Sequence, residues 1–410
     1  MDTNWKKNIV LFLSSQTISL FGSSLVQYAI FWYITLATQS GIMMTIMIIC
    51  GFLPTFFLSP FAGVWADRYN RKILIMISDS VIALSTLVLA IFFIMGYDML
   101  WLLFLISAIR ALGTAVQMPA VGAYIPQLVP QEELTRINAA NGTIQSLVML
   151  VSPMLSGALL TVASIEIIFF IDVVTALLAV SILFIFLQVP AHAKALEKSA
   201  IGYFSDLRKG FGYINRHDYV KKLFLFCTVY FILAAPVSFL TPLQVTRIFG
   251  EEVWRLTAVE VAFSSGMILG GIIMAAWGGF KNRVHSMALS TVIIGGCTFA
   301  LGVIPLFSIY LLFMALAGIA MPIFNTPFTV LLQERVEPDF LGRVFGVLGM
   351  ITSTMLPLGM LLFGPLADII NIKWLLLGTG VLIFVEGFFL LGSKVLIEAG
   401  QPIVHNGDAV

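Results

Sequence analysis

Read for polarity alone, the chain is a series of long apolar runs separated by short polar breaks. A helix that crosses a bilayer needs about 20 mostly apolar residues. Twelve such runs occur, at approximately 9–36, 42–65, 73–95, 99–122, 135–161, 167–188, 222–246, 256–278, 285–304, 309–332, 344–369 and 374–396. Their connections are mostly short. The exception, "VPAHAKALEKSAIGYFSDLRKGFGYINRHDYVK" at 189–221, divides the spans six and six.

Composition agrees with a membrane protein. Of 410 residues, 60% are hydrophobic and 10% charged, with a mean hydropathy of +1.02, far from the half-apolar make-up of soluble domains. The net charge of +1 carries no signal for nucleic acid. Cys50, Cys227 and Cys297 each sit alone in an apolar run, and His192, His217, His285 and His405 are dispersed over loops and span ends. Neither a disulfide framework nor a metal site follows from them. Lys6 and Lys7 precede about thirty apolar residues with no small-x-small cleavage site, which reads as a retained first span rather than a cleaved signal. The sequon Asn141-Gly142-Thr143 falls at the start of a span and reads as chance.

Basic residues orient a membrane protein, because cytoplasmic loops keep the excess of Lys and Arg. With the N-terminus inside, inner segments hold 18 of the 22 basic residues. Outer loops hold Arg247, Arg255 and Lys373, and Arg110 lies within a span. Both termini and the long middle loop are therefore expected in the cytoplasm, with the spans in the plasma membrane.

The halves also echo each other. "VWADRYNRK" after span two aligns with "AWGGFKNRV" after span eight, matching Trp65 with Trp277, Asn70 with Asn282 and Arg71 with Arg283. "VPQEELTR" before span five aligns with "VEPDFLGR" before span eleven. Duplication of a helical bundle accounts for both matches. The expected fold is all-α and integral to the membrane, with twelve transmembrane helices in two pseudo-symmetric six-helix bundles. The first covers 1–189 and the second 222–398, with a central loop at 190–221 and a cytoplasmic tail at 399–410.

The stretch "GVWADRYNRK" crowds Asp67, Arg68, Arg71 and Lys72 into six positions. Orientation alone calls for basic residues but not for an Asp. Such a turn can face Asp67 toward a helix N-terminus and set its basic residues against carbonyl ends, closing the inner mouth in one conformation. Here a resemblance enters. Gly63, Asp67, Arg68, Arg71 and Lys72 resemble the loop signature of the major facilitator superfamily, and twelve spans with a central loop resemble its architecture. That implies two bundles rocking about a midplane site, probed alternately from either side, and a monomer. The second copy has Gly279 where the first has Asp67, so an equal gating role does not carry over. "GFLP" at 51–54, "PAVGAYIPQLVP" at 119–130, "VSP" at 151–153, "FIDVV" at 170–174 and "LGRVF" at 341–345 look like the macrolide-efflux branch of the drug/proton antiporters.

Charges inside the bilayer cost on the order of 3 kcal/mol each on insertion scales, so each needs a partner or a task. Arg110 lies halfway along span four, where the resemblance implies substrate or proton coupling and Gly113 keeps the signature spacing; a structural ion pair is the alternative. Asp79, Asp172 and Glu260 are candidates for proton coupling or substrate binding, Asp172 and Glu260 foremost because they are on the outer side and in different halves. Asp79 has the competing reading of a pair with Arg68 or Arg71. Glu386 reads as snorkelling toward the inner surface. Ser152, Pro153, Ser156 and Gly157 occupy the place of a Gly-Pro-x-x-Gly-Gly pattern usual in the superfamily's exporters, with Ser at two of the glycine positions; a plain helix-packing face is the alternative. Gln27, Tyr28, Trp32 and Asn325 are candidate cavity residues.

The expected function is secondary active export of amphiphilic compounds, macrolide-like antibiotics as the resemblance implies, by proton antiport. The partners are then a small amphiphile, protons and the lipid bilayer, without nucleic acid, cofactor or metal. A carrier of siderophores, lipids or other metabolites is the alternative. A membrane enzyme or channel is less well served, since no paired catalytic groups, filter segment or charge ring is present. No Gly-x4-Gly-Lys-Ser/Thr loop for ATP occurs either.

Overall fold

The computed structural model describes residues 5–187 and 203–402. These form fifteen α-helices and one short 3-10 turn at Gln131–Glu133. The first six are α1 (Trp5–Thr38), α2 (Gly41–Arg68), α3 (Arg71–Ile94), α4 (Leu100–Leu128), α5 (Leu134–Val162) and α6 (Ile165–Phe186). There follow α7 (Tyr203–Arg216), α8 (Asp218–Phe239), α9 (Thr241–Phe249), α10 (Val253–Trp277) and α11 (Arg283–Leu301). The chain continues through α12 (Phe307–Arg335), α13 (Pro338–Ile369), α14 (Ile372–Gly392) and α15 (Lys394–Ala399). Twelve membrane-length apolar segments result, α8 and α9 together making the seventh.

Expected and observed spans coincide except at that seventh span and in the central connection. Residues 222–246 break at Leu240, between Pro236 inside α8 and Pro242 at the start of α9. The connection contains α7, whose Tyr213 stacks on His217 and on Phe340 with ring centroids 4.0 and 4.8 Å apart. The stretch before it, with His192, Lys194 and Lys198, lies outside the described residues, as does 403–410 with His405.

Two compact units emerge. The first comprises α1, α2 from Ile46 onward, α3 to α6 and the strip Glu252–Thr257; the second takes Gln39–Thr45, α7 to α9 and everything from Ala258 on. In the first unit α1 packs on α4, α5 and α6, while α3 lies against α4 and α6. In the second, α14 packs on α11 and α8, with α12 on α11 and α13 on α7 and α8. The correspondence in order is therefore α1 with α8, α3 with α11 and α6 with α14.

Within lipid the hydrophobic effect gives little reason for helices to associate, so close packing must. Gly295 and Gly380 let α11 and α14 approach until a Cβ at either would strike the partner's backbone, at Phe384 and Phe299 respectively. In the first unit Gly113 admits Ile82 of α3, and Gly22 admits Thr175 and the backbone of Asp172 on α6. Rings fill what small residues leave: Phe226, Tyr230, Phe324 and Phe328 form a stacked column between α8 and α12.

Candidate functional site

The loop signature holds the start of α3 and the later parts of α2, α4 and α6. Asn70 caps α3, its Oδ1 accepting from the Lys72 amide at 3.0 Å. Arg71 donates from Nε to the Ala66 carbonyl of α2 at 2.8 Å and from Nη1 to the Ala123 carbonyl of α4 at 2.9 Å. Lys72 Nζ donates to the Leu187 carbonyl just beyond α6 at 2.6 Å. Cations thus sit on late helical carbonyls, where the dipole favours them. Arg68 is exposed, and a Cβ at Gly63 would meet open space. The Asp67 side chain lies outside the described residues. In the second copy Asn282 caps α11, with the Val284 amide 3.0 Å from its Oδ1. Arg283 instead pairs with Glu334 at 3.0 Å. The chain leaves α10 through Gly278 and Gly279 at φ +72° and +82°, a left-handed turn that an Asp at 279 would strain.

Deeper in the first unit, α1, α3, α4 and α6 each contribute to a buried polar network. Arg110 Nη1 meets Asp172 Oδ2 at 2.5 Å; their side chains are 6% and 0% exposed. Thr86 donates to the same oxygen at 2.8 Å and Ser23 to Asp172 Oδ1 at 3.1 Å. Arg110 also donates to Thr86 Oγ1, and its Nη2 to the Ser23 carbonyl at 3.1 Å. Gly22 is what lets α6 come close enough for Asp172 to reach Ser23. The second layer is centred on Asp79, whose Oδ1 accepts from Ser19 at 2.8 Å and from Gln117 at 2.5 Å. Its Oδ2 is buried without a partner among the described residues. Ser19 and Ser23 are one turn apart on α1; Asp79 and Thr86, like Arg110 and Gln117, are two turns apart on α3 and α4. At 1.5 Å per residue the seven-residue steps separate the layers by about 10 Å.

Several sequence readings change here. Asp79 bonds Ser19 and Gln117 instead of pairing with Arg68 or Arg71, because it lies two turns inside α3 and on its buried face. Arg110 has an ion-pair partner that spacing along the chain could not reveal. Trp32 does not face open space: it is fully enclosed and closes over Gly157, while Tyr28, 5.9 Å away between ring centroids, is half-buried. Ser156 Oγ donates to the Leu25 carbonyl of α1 at 3.1 Å. Ser152 and Pro153 are buried beside it, so this stretch of α5 is in close contact with α1. Gln27 and Asn325 are exposed, and Glu260 is half-buried with no ion-pair or hydrogen-bond partner among the described residues. Glu386 does not snorkel. It is 9% exposed and turned into the second unit.

One cluster escaped the sequence reading. Asp368, at the end of α13, accepts from the Gly41 amide at 2.7 Å, the Ile42 amide at 2.9 Å and the Ser40 hydroxyl at 2.7 Å. Arg247 bonds the same carboxylate at 2.9 Å and the Ala367 carbonyl at 2.7 Å. The available signal was Ser40-Gly41 as a helix start beside an Asp in "PLADII" at 365–370.

Twelve membrane-length helices with charges buried between them are the framework of a membrane transporter. The sequence profile of the Major Facilitator Superfamily matches residues 12–360, and the chain belongs to that family. It is 30% identical over 382 residues to Macrolide efflux protein A of Streptococcus pyogenes, covering 93% of this chain and 94% of that one. It is 29% identical over 316 residues to the protein of the same name from Enterococcus faecalis, covering 77% and 98%. The crystal structure of a bacterial homolog of the human lysosomal transporter Spinster superposes with a TM-score of 0.73 at 13% identity, over 98% of this chain and 100% of that chain. The protein is a multi-pass membrane transporter and not an enzyme.

Proposed function

We propose that the protein is a proton-driven exporter of amphiphilic compounds, macrolide-like antibiotics first among them, working by alternating access. The observation that carries this reading is the two-layer network of Arg110, Asp172 and Asp79: two carboxylates and one guanidinium held deep in a bundle by hydroxyl and amide donors. The relatives' name supports the substrate class. Asp172 is engaged by three donors, Arg110, Thr86 and Ser23, and keeps Arg110 in place, whereas Asp79 retains an open oxygen on which a proton can land.

Glu260 supplies an unpaired carboxylate for an amine on the substrate, and Gln27, Tyr28 and Asn325 offer polar and aromatic contacts. The set Gly63, Asp67, Arg68, Arg71 and Lys72 acts as the inner gate. The protein works as a monomer in the plasma membrane with both termini in the cytoplasm, as 18 of 22 basic residues favour. Its transport bundles are 1–189 and 222–398, joined by a cytoplasmic connection at 190–221, with a cytoplasmic tail at 399–410.

The test is uptake of labelled erythromycin into energised inverted membrane vesicles, with and without a proton ionophore. Wild-type uptake collapses with the ionophore, and Arg110→Ala shows none. Absence of uptake in competent wild-type vesicles removes macrolides and turns the search to siderophores and lipids.

A further inference from the structure

The second unit holds a carboxylate that the proposed mechanism does not use. Glu386 lies on α14, six residues before its end, about 9 Å by helical rise. Its Oε2 is buried without a partner among the described residues, and so is the hydroxyl of Tyr230 on α8. Ile383 and Leu390, each about one turn from Glu386 on α14, pack in the same buried cluster as Tyr230 and Cys227 of α8, so the carboxyl and the hydroxyl belong to one dry region between these two helices. Tyr230 is 2% exposed and Cys227 1%. The ring of Tyr230 stacks in the aromatic column, 5.5 Å from Phe324 and nearly parallel to it.

Comparison with the first unit sharpens what this carboxylate is. α14 corresponds to α6, so Glu386 is borne by the same element of its unit as Asp172. Asp172 is answered by Arg110 from the fourth span. The equivalent helix, α12, has no charged residue before Glu334 near its end. The helices packed on α14 carry their ionisable groups elsewhere: Arg283, His285 and Cys297 on α11, Asp218, Lys221 and Lys222 on α8, Arg343 and Asp368 on α13, Lys394 and Glu398 on α15. None of these pairs with Glu386 among the described residues. An ionised carboxylate with neither a countercharge nor a full set of donors is costly in so dry a place.

We propose that Glu386 is a second protonation site, in the second unit, with Tyr230 as its switchable partner. In the protonated form the carboxyl is neutral and tolerates burial with Tyr230 detached. When the proton passes to water, the two side chains draw together so that the Tyr230 hydroxyl donates to the carboxylate and offsets part of the lost stabilisation. One proton moves, and no other bond is made or broken except that hydrogen bond. The use of this site in a transport cycle rests on the proton-driven reading above; the protonation itself does not, because its titration requires no substrate.

The test is infrared difference spectroscopy of the purified protein in liposomes, titrated between about pH 5 and pH 9. A carboxylic-acid carbonyl band appears on acidification in wild type, is missing from Glu386→Gln and persists in Glu386→Asp. Tyr230→Phe removes one oxygen and keeps the ring stack, and it moves the midpoint of that band upward by about one pH unit, the worth of one hydrogen bond to a charge. Superimposable titrations of wild type and Glu386→Gln overturn the proposal. Should Glu386→Gln fail to fold, Tyr230→Phe decides alone: unmoved carboxyl midpoints overturn it. Failure of erythromycin transport in wild type bears on the substrate and leaves these bands unaffected.

Discussion

At the scale of the residue, the chain separates buried charges by whether they are answered. Arg110 and Asp172 answer each other, and removing one leaves the other unpaired in a low-dielectric interior. Breaking such a pair costs on the order of 3 kcal/mol, whereas replacing both partners by apolar groups of similar volume is often neutral. Asp172→Asn should therefore lower the unfolding temperature clearly, and the double variant Arg110→Met/Asp172→Leu should recover most of the loss. Thermal unfolding followed with a thiol-reactive dye checks this directly, since Cys227 and Cys297 are buried in the folded protein. A double variant no more stable than Asp172→Asn would show that the pair is needed for more than mutual neutralisation. The sequence made the cost of each charge legible but not its partner. Arg110 and Asp172 are 62 positions apart, and their meeting depends on how α4 and α6 are rotated about α1 and α3. Glu386 failed for the same reason: its position near a span end suited snorkelling, and only the rotation of α14 shows it turned inward.

At the scale of the element, helix contacts are set by glycine more than by side-chain bulk. The neighbour struck by an added methyl decides the cost. At Gly295 and Gly380 it is the backbone of the facing helix, which cannot move without separating α11 from α14. At Gly113 it is Cγ1 of Ile82, 2.6 Å away, a side chain that can rotate. Gly295→Ala should thus destabilise the protein by more than Gly113→Ala, with overpacking of the former costing about 1–3 kcal/mol. Equal unfolding temperatures for the two would contradict it. The helix-end fastening gives a second expectation. Arg71→Ala deletes two charge-assisted bonds to carbonyls of α2 and α4, each worth at most about 1.5–3 kcal/mol net of solvation. Arg71→Lys, unable to span both carbonyls with one fork, should recover only part of the loss in folded yield. Element positions themselves were legible, because twenty apolar residues leave few alternatives to a spanning helix. The break at Leu240 and the helix inside the central connection were not, since continuous apolarity hides the first and the second has no span-length run.

At the scale of the whole molecule, coupling requires that the carrier reorient only in permitted combinations of proton and substrate. Moving one charge through 100 mV yields about 2.3 kcal/mol, enough for roughly 40-fold accumulation of an uncharged compound. That energy is wasted if a substrate-loaded carrier can cross without its proton. Of the two carboxylates in the first unit, Asp172 is committed to Arg110, and Asp79 has one oxygen satisfied and one open. Asp79→Asn imitates the protonated state and retains a carbonyl oxygen for Ser19 and Gln117, so the fold survives while the proton has nowhere to bind. The variant should then exchange labelled for unlabelled erythromycin across proteoliposomes at near wild-type rate, yet fail to accumulate it against a gradient when a proton gradient is imposed. Loss of exchange together with accumulation would mean that Asp79 serves translocation itself. Retention of both would move the coupling proton away from this layer, to Glu260 or to Glu386, and the infrared titration of Glu386 then becomes the measurement that separates those two.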